Sequence, residues 1–482
     1  MEAVVTNFNM QAAAAEIFLL SAICVVLLVD VFLSDSKRWI TYALSMLTLA
    51  GCAYVTVTYA VDGRVTAFDG SFVADPMGDV LKLFTYGTVA VSLLYSRESL
   101  QRNGLFRGEY FILALLAMLG VMVLVSAGSL LTAYLGVELL ALALYAMVAF
   151  NRDSGVAAES AMKYFVLGAI ASGTLLYGFS ILYGVTGTLQ LDELAIAVRE
   201  VGPDNLGLIF GLAFVIVGIA FKFGAVPFHM WVPDVYHGAP TAVTLFVGSA
   251  PKIASFVLAI RVLAEGLDAM VASWQSMLIA ISVASMIIGN VVAIAQTNLK
   301  RMLAYSTVSH VGFLLVGFAG GGEVGYSGAL FYAISYAIMS AAAFGAIIVL
   351  SRQGFEADRI DDFKGLNARN PWQAGLVLCV MASLAGVPPF LGFWAKLVVL
   401  GAAVNGGFLW LALVGVLCAV IGAFYYLRVI KVMYFDEPVG ELPPPRADRV
   451  VPMVFGVNAL ALLVLGIAWN PIMAWCKLAF AG

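Results

Sequence analysis

Residues 206–228 read LGLIFGLAFVIVGIAFKFGAVPF, and this stretch decides the class of fold. A helix crosses the hydrocarbon core of a bilayer with about 20 apolar residues. The run meets that length, carries one lysine, Lys222, near its end, and then meets Pro227 five residues later. Proline removes a backbone donor and clashes with the preceding turn, so the helix breaks beside a charge. Broken backbone at membrane depth survives only where protein or water satisfies it.

The same apolar pattern recurs on both sides of this stretch. Fourteen spans are predicted, at 12–33, 40–60, 77–96, 109–127, 129–150, 157–184, 205–224, 241–263, 274–296, 302–319, 327–350, 372–404, 408–430 and 451–470. Over 482 residues the chain is 62% hydrophobic and 11% charged, with a net charge of −4. Soluble proteins carry about 25% charged residues. The composition therefore excludes a soluble enzyme, a disordered chain and a nucleic-acid binder, which needs a basic face. The loops are short and leave no extramembrane domain of any size. The first run, 12–33, lacks a basic leader and is long enough to remain as a span.

Sixteen basic residues, from Lys37 to Arg449 and including Arg446, fall in one set of alternate loops. The other set, with both termini, holds four: Arg64, Arg199, Arg261 and Lys477. By the positive-inside rule both termini face the periplasm or its equivalent. Five lysines remain inside spans: Lys82, Lys163, Lys222, Lys252 and Lys396. Glu138 joins them near the middle of the uncharged run 129–150. A charge at mid-bilayer costs ~2.5–3.5 kcal/mol on insertion scales. Lys82 and Lys163 are near span ends, where a long side chain reaches the interface. Glu138, Lys222 and Lys252 have no such escape and point to function.

A second broken span matches the first. Gly224-Ala225-Val226-Pro227-Phe228 corresponds to Gly386-Val387-Pro388-Pro389-Phe390, and each has a lysine and a tryptophan nearby (Trp231, Trp394). Breaks five helices apart predict two repeats, the second inverted relative to the first, as in transporters with a working site near the midplane. The expected division is 1–108 (helices 1–3), 109–264 (first repeat, helices 4–8), 265–434 (second repeat, helices 9–13) and 435–482 (helix 14 and the C-terminus). The fold class is thus an all-α polytopic membrane protein with broken helices 7 and 12.

A carboxylate approaching a buried lysine favours its charged form, and its withdrawal favours release of the proton. A row of such groups is a proton relay. Metal chemistry has no ligand cluster to support it. The five cysteines are scattered without a C-x-x-C pair, so neither an iron–sulfur cluster nor a disulfide framework is legible. No phosphate-binding glycine motif follows a strand. His310, beside Ser306, Thr307 and Ser309, makes an unusually polar helix centre and is a further candidate for the relay.

These residues carry a resemblance. The segments around Leu131–Glu138, Glu159–Lys163, Phe221–Thr241, Pro251-Lys252 and Leu299–Gly312 resemble the antiporter-like membrane subunits of respiratory complex I, a proton-pumping NADH:quinone oxidoreductase. The likeness covers essentially the whole chain and, by Lys396 in the twelfth span and the minimal C-terminal end, is nearest the subunit N branch. It implies that Glu138 and Lys222 form a switchable pair and that Lys252 passes the proton onward. Lys396 would be the terminal exchange site, with Lys163 and His310 subsidiary. It also implies no redox group in this chain, with FMN, iron–sulfur clusters and quinone in partner subunits. The expected partners are neighbouring membrane subunits and lipids in a hetero-oligomer, and the expected location is a bacterial inner membrane. A subunit of a sodium/proton antiporter complex shares the same module and stays open as the alternative, as does a fourteen-helix solute carrier.

Overall fold

The computed structural model describes residues 9–438 and 449–480, so Arg446 lies outside the described residues. The first segment runs α1 (Ala14–Val31), α2 (Trp39–Thr58), a hairpin of β1 (Val65–Ala67) and β2 (Phe72–Ala74), α3 (Pro76–Arg102), α4 (Gly108–Val125), α5 (Leu130–Val148) and α6 (Gly155–Thr186). The middle comprises α7 (Leu191–Val201), α8 (Leu206–Phe223), α9 (Trp231–Gly238), α10 (Thr241–Val247), α11 (Ala250–Ala259), α12 (Val271–Ala295), α13 (Leu299–Gly320) and α14 (Gly322–Leu350). The last part holds α15 (Leu366–Arg369), α16 (Pro371–Ala385), α17 (Leu391–Asn405), α18 (Leu409–Phe435), α19 (Val450–Ile467) and α20 (Asn470–Leu478).

Among the described residues, thirteen helices are long and apolar enough to cross a membrane. Helices suit that solvent because they satisfy their own backbone polar groups. The stretch 372–404, read as one interrupted span, is the pair α16 and α17, of 15 residues each. Both expected breaks sit on a left-handed glycine. Gly224 ends α8 with φ 75° and Gly386 ends α16 with φ 87°, a conformation that costs a β-carbon-bearing residue more.

Packing is closest where glycines face backbone. A methyl group on Gly120 of α4 would lie 2.5 Å from the Leu140 nitrogen, and one on Gly136 of α5 would lie 2.7 Å from that of Leu124. The pair α12 and α13 meets in the same way, through Gly289 against Ser309 and Gly312 against Ser282. Lipid gives no hydrophobic drive for helix association, so close backbone approach through small residues supplies it.

Four expectations need correction. The eighth span is divided: α10 stops at Gly248, and Pro251 starts α11 because proline fits a first turn but not a helix interior. Ser249 Oγ donates to the Leu245 and Phe246 carbonyls at 2.8 and 3.1 Å and satisfies the freed groups. A π-helical turn, Ile260–Gly266, then ends the segment. Second, Lys82 does not reach outward. It is 3% exposed and pairs at 2.7 Å with Glu16, which Ser126 also bonds. A buried partner removes the need to reach solvent.

Third, Arg261 is not a loop residue but is fully buried at 0% exposure. All five of its N–H donors are used, on Asp75, Glu265 and twice on the Val125 carbonyl. Burial acts against the Asp75 carboxylate, but Arg261 outweighs it and holds its pKa below the ordinary value. Fourth, the loops contain structure that the count of spans passed over. The hairpin turns at Asp69-Gly70, a dipeptide suited to positive φ. Helix α7 buries Leu191, Leu194 and Val198, a single stripe at helical spacing.

Candidate functional site

Helix α8 delivers Lys222 in its last turn, one residue before the chain unwinds. Its Nζ donates to Ser172 Oγ of α6 at 3.2 Å. Glu138, half-buried midway along α5, lies within electrostatic reach of Lys222. No ion pair within 4.0 Å joins the two among the described residues, and Glu138 Oε1 is enclosed without a hydrogen-bond partner. The pair is therefore apart in this state.

Lys252 stands on α11 and is 2% exposed. Its Nζ donates at 2.8 Å to the carbonyl of Phe223, the last residue of α8, and sits 5.5 Å from the centroid of the Trp231 ring. Trp231 in turn stacks on Tyr164 at 4.6 Å and donates Nε1 to the Phe221 carbonyl at 3.0 Å. Lys222 and Lys252 both line a cavity of about 30 Å³, shared with Tyr164, Trp231 and Ser255. A water-sized site of this kind, with polar partners, can bridge groups that do not touch.

The second break repeats this arrangement. Lys396 of α17 donates to the carbonyls of Leu384 and Ala385, the last residues of α16, at 3.1 and 2.9 Å. It lies 5.2 Å from the Phe313 ring centroid, and the neighbouring Trp394 stacks on Trp469 at 4.8 Å. At both breaks a buried ammonium occupies the negative end of a helix dipole and faces an aromatic ring.

His310 lies mid-α13 and is 3% exposed. Its Nδ1 is 2.7 Å from the Tyr332 hydroxyl and its Nε2 3.1 Å from the Tyr426 hydroxyl. Ser306 bonds Tyr426, and Thr307 bonds the Tyr336 hydroxyl at 2.6 Å. Lys396 is the charged group acting on His310.

Lys163 stands apart from this line. Its side chain is 45% exposed and paired with Glu159 at 2.9 Å and Asp234 at 3.0 Å. Asp234 also binds Arg301 at 3.0 Å; burial opposes its charge, but Lys163 and Arg301 prevail and hold its pKa below the ordinary value. No hydrogen bond or ion pair joins Lys163 to Lys222 among the described residues.

Residue counting missed the tyrosines and the carbonyl anchors. The signal for the former was present in Tyr332-x-x-x-Tyr336, an i, i+4 pair facing α13, and in the doublet Tyr425-Tyr426 inside an apolar helix.

Residues 127–422 match the family model described as NADH:quinone oxidoreductase/Mrp antiporter, TM. NADH-quinone oxidoreductase subunit N of Xanthomonas euvesicatoria is 57% identical over 477 residues, 99% of this chain and 98% of that one. The chain belongs to the NADH-quinone oxidoreductase subunit N family. A chain of respiratory complex I from Thermus thermophilus superposes with a TM-score of 0.80 at 26% identity, over 95% of this chain and 98% of that one. A chain of the Mrp complex from Dietzia shares the fold with a TM-score of 0.86 at 22% identity, covering 98% and 97%. This membership agrees with the branch to which Lys396 pointed.

Proposed function

We propose that Glu138, Lys222, Lys252 and Lys396 form a proton relay in this subunit, with His310 on the route between the last two. As a subunit N family member the chain is a non-redox, proton-translocating part of the membrane arm, coupled to quinone reduction elsewhere in the complex. The flavin, iron–sulfur and quinone sites belong to partner subunits, and lipids and neighbouring antiporter-like subunits surround this one.

The observation that carries this reading is the matched pair of lysines at the helix breaks, each held by neutral carbonyls. A carboxylate would fix the charge on such an ammonium, whereas carbonyls leave it free to release a proton. Charge moved at Glu138 then biases Lys222, and the cavity between Lys222 and Lys252 connects them. Lys163, tied to Glu159 and Asp234, modulates the field rather than carrying protons.

The matched breaks support two inverted repeats, 109–264 and 265–434, between an N-terminal unit 1–108 and a C-terminal unit 435–482. Counting α16 and α17 as one crossing gives fourteen crossings, and the excess of basic residues in alternate loops supports an orientation with both termini on the periplasmic side of a bacterial inner membrane.

Replacing Lys222 by alanine is the test. The variant is expected to assemble yet lose most NADH-driven proton pumping and coupled quinone reductase activity in membrane vesicles. Normal coupled turnover in those vesicles would refute the relay.

A further inference from the structure

At the end of the molecule that carries the basic loops, a polar crevice of about 650 Å³ opens between the ends of α3 and α9 and the starts of α6, α10 and α13. Its inner wall is formed by Lys300, Thr241 and Glu356. Lys300 counts as a loop residue by sequence, yet it is 1% exposed. Its Nζ donates to the Ala239 carbonyl, just past the end of α9, at 2.9 Å and lies 3.4 Å from Glu356 Oε1. The Glu356 side chain is 45% exposed to the crevice and bonds Thr241. Lys300 is thus a third lysine set on helix-end carbonyls, after Lys252 and Lys396. It differs in having a water-accessible carboxylate beside it.

Helix α13 continues inward from this point. Lys300, Thr307 and His310 are spaced seven and three residues apart, which keeps them on one side of the helix. Tyr236, fully buried on α9, faces Thr307 and Tyr336, and Thr307 bonds the Tyr336 hydroxyl. The ring of Tyr336 is 5.1 Å from that of His310. Polar groups therefore run from the crevice wall to the Lys396 neighbourhood through an otherwise apolar core.

We propose that this crevice is a proton-collecting chamber, with Glu356 as the acceptor from water and Lys300 as the first internal carrier. The proposal rests on the relay reading above and adds a supply point to it. A hydronium ion in the crevice protonates the Glu356 carboxylate and leaves water. Loss of that negative charge loosens the hold on the Lys300 ammonium, which passes one proton inward toward Tyr236 and Thr307. Glu356 then reloads Lys300, so one proton enters and one leaves per cycle. The charged and titratable groups facing Glu356 are Lys300 on α13, Arg102 on α3 and His237 on α9, with Thr241 on α10 as its neutral partner.

The test uses the whole complex in inverted membrane vesicles. Glu356→Gln is expected to assemble and to lose pumping progressively as pH is raised on the basic-loop side, while Glu356→Asp restores the parent profile. Lys300→Met is expected to lower the pumping rate about 100-fold at every pH, the lower end of the range for a positioned proton-transfer group. A cysteine placed at Asn151, on the crevice rim, is expected to react with a membrane-impermeant thiol reagent from that side. A Glu356→Gln profile parallel to the parent, or an unreactive Asn151→Cys against the parent background, overturns the chamber. If Lys222→Ala abolishes pumping while Glu356→Gln and Lys300→Met pump normally, only the chamber fails. If Lys222→Ala pumps normally, the relay itself fails.

Discussion

The Lys252 ammonium donates to the Phe223 carbonyl at 2.8 Å, so the charge of α11 closes the broken end of α8. The last carbonyls of a helix have no internal partner and carry the negative end of its dipole. Lys396 performs the same service for α16. Among the described residues no carboxylate lies within ion-pair distance of either lysine. Each break therefore places a lysine through neutral carbonyls alone, which is the condition that the proposed relay requires for releasing its proton.

Lys252 and Lys396 should accordingly act in series. Each replaced by methionine, which keeps volume and loses the charge, is expected to lower coupled pumping about 100-fold or more. The double variant should be no worse than the worse single one. Proton-to-electron ratios in reconstituted vesicles check this. An unchanged ratio in Lys396→Met means that Lys396 is not the terminal exchange site.

Among the described residues Glu138 makes no ion pair with Lys222 and its Oε1 has no hydrogen-bond partner, so in the proposed relay it would act by charge rather than by contact. Glu138→Gln should thus impair pumping as severely as Glu138→Ala, while Glu138→Asp retains part of the rate. Equal pumping in parent and Glu138→Gln membranes, measured by quenching of a pH-sensitive dye, would show that shape matters and charge does not.

The sequence announced the spans, the two breaks and the lone charges because each is a departure from an apolar background. Lys222, Lys252 and Lys396 stood out for that reason. Arg261 did not, and Lys82 stood out but reads as reaching the interface, because their partners Asp75 and Glu16 are distant in sequence and only the fold brings them together. The division of the eighth span at Gly248 was half legible, since Pro251 marks a helix start as readily as a kink. Lys300 looked like any loop lysine, and its burial depends on Ala239 and Glu356, 61 and 56 residues away.

The Arg261 network ties α3, the end of α4 and the π-turn that follows Lys252. Arg261→Ala leaves Asp75 buried without its partner and is expected to destabilise by ~3–5 kcal/mol. Arg261→Lys should not rescue it, because three donors cannot replace five. The pH dependence follows from Asp75. Its folded pKa is depressed, so its contribution is fully present above the unfolded value of about 3.9 and is lost as pH falls toward the folded one. The thermal stability of the solubilised complex should fall in acid below about pH 4 in the parent. Asp75→Asn should start lower and change less. Parallel curves for the two would remove Asp75 from the linkage.

His310 offers the sharpest test of the route between the halves. Both ring nitrogens are engaged, Nδ1 with Tyr332 and Nε2 with Tyr426. A neutral imidazole donates at one nitrogen and accepts at the other, so it can take a proton on one side and give one up on the other. Phenylalanine fills the site without either function. His310→Phe should assemble and lower the pumping rate several-fold, short of the loss in Lys396→Met, because Ser306, Tyr426 and Thr307 still offer hydroxyls. Tyr426→Phe, which removes the partner of Nε2 and of Ser306 but leaves Nδ1 on Tyr332, should fall between His310→Phe and the parent. If His310→Phe pumps at the parent rate, the proton reaches Lys396 without the ring, and the line from Thr307 through His310 is structural.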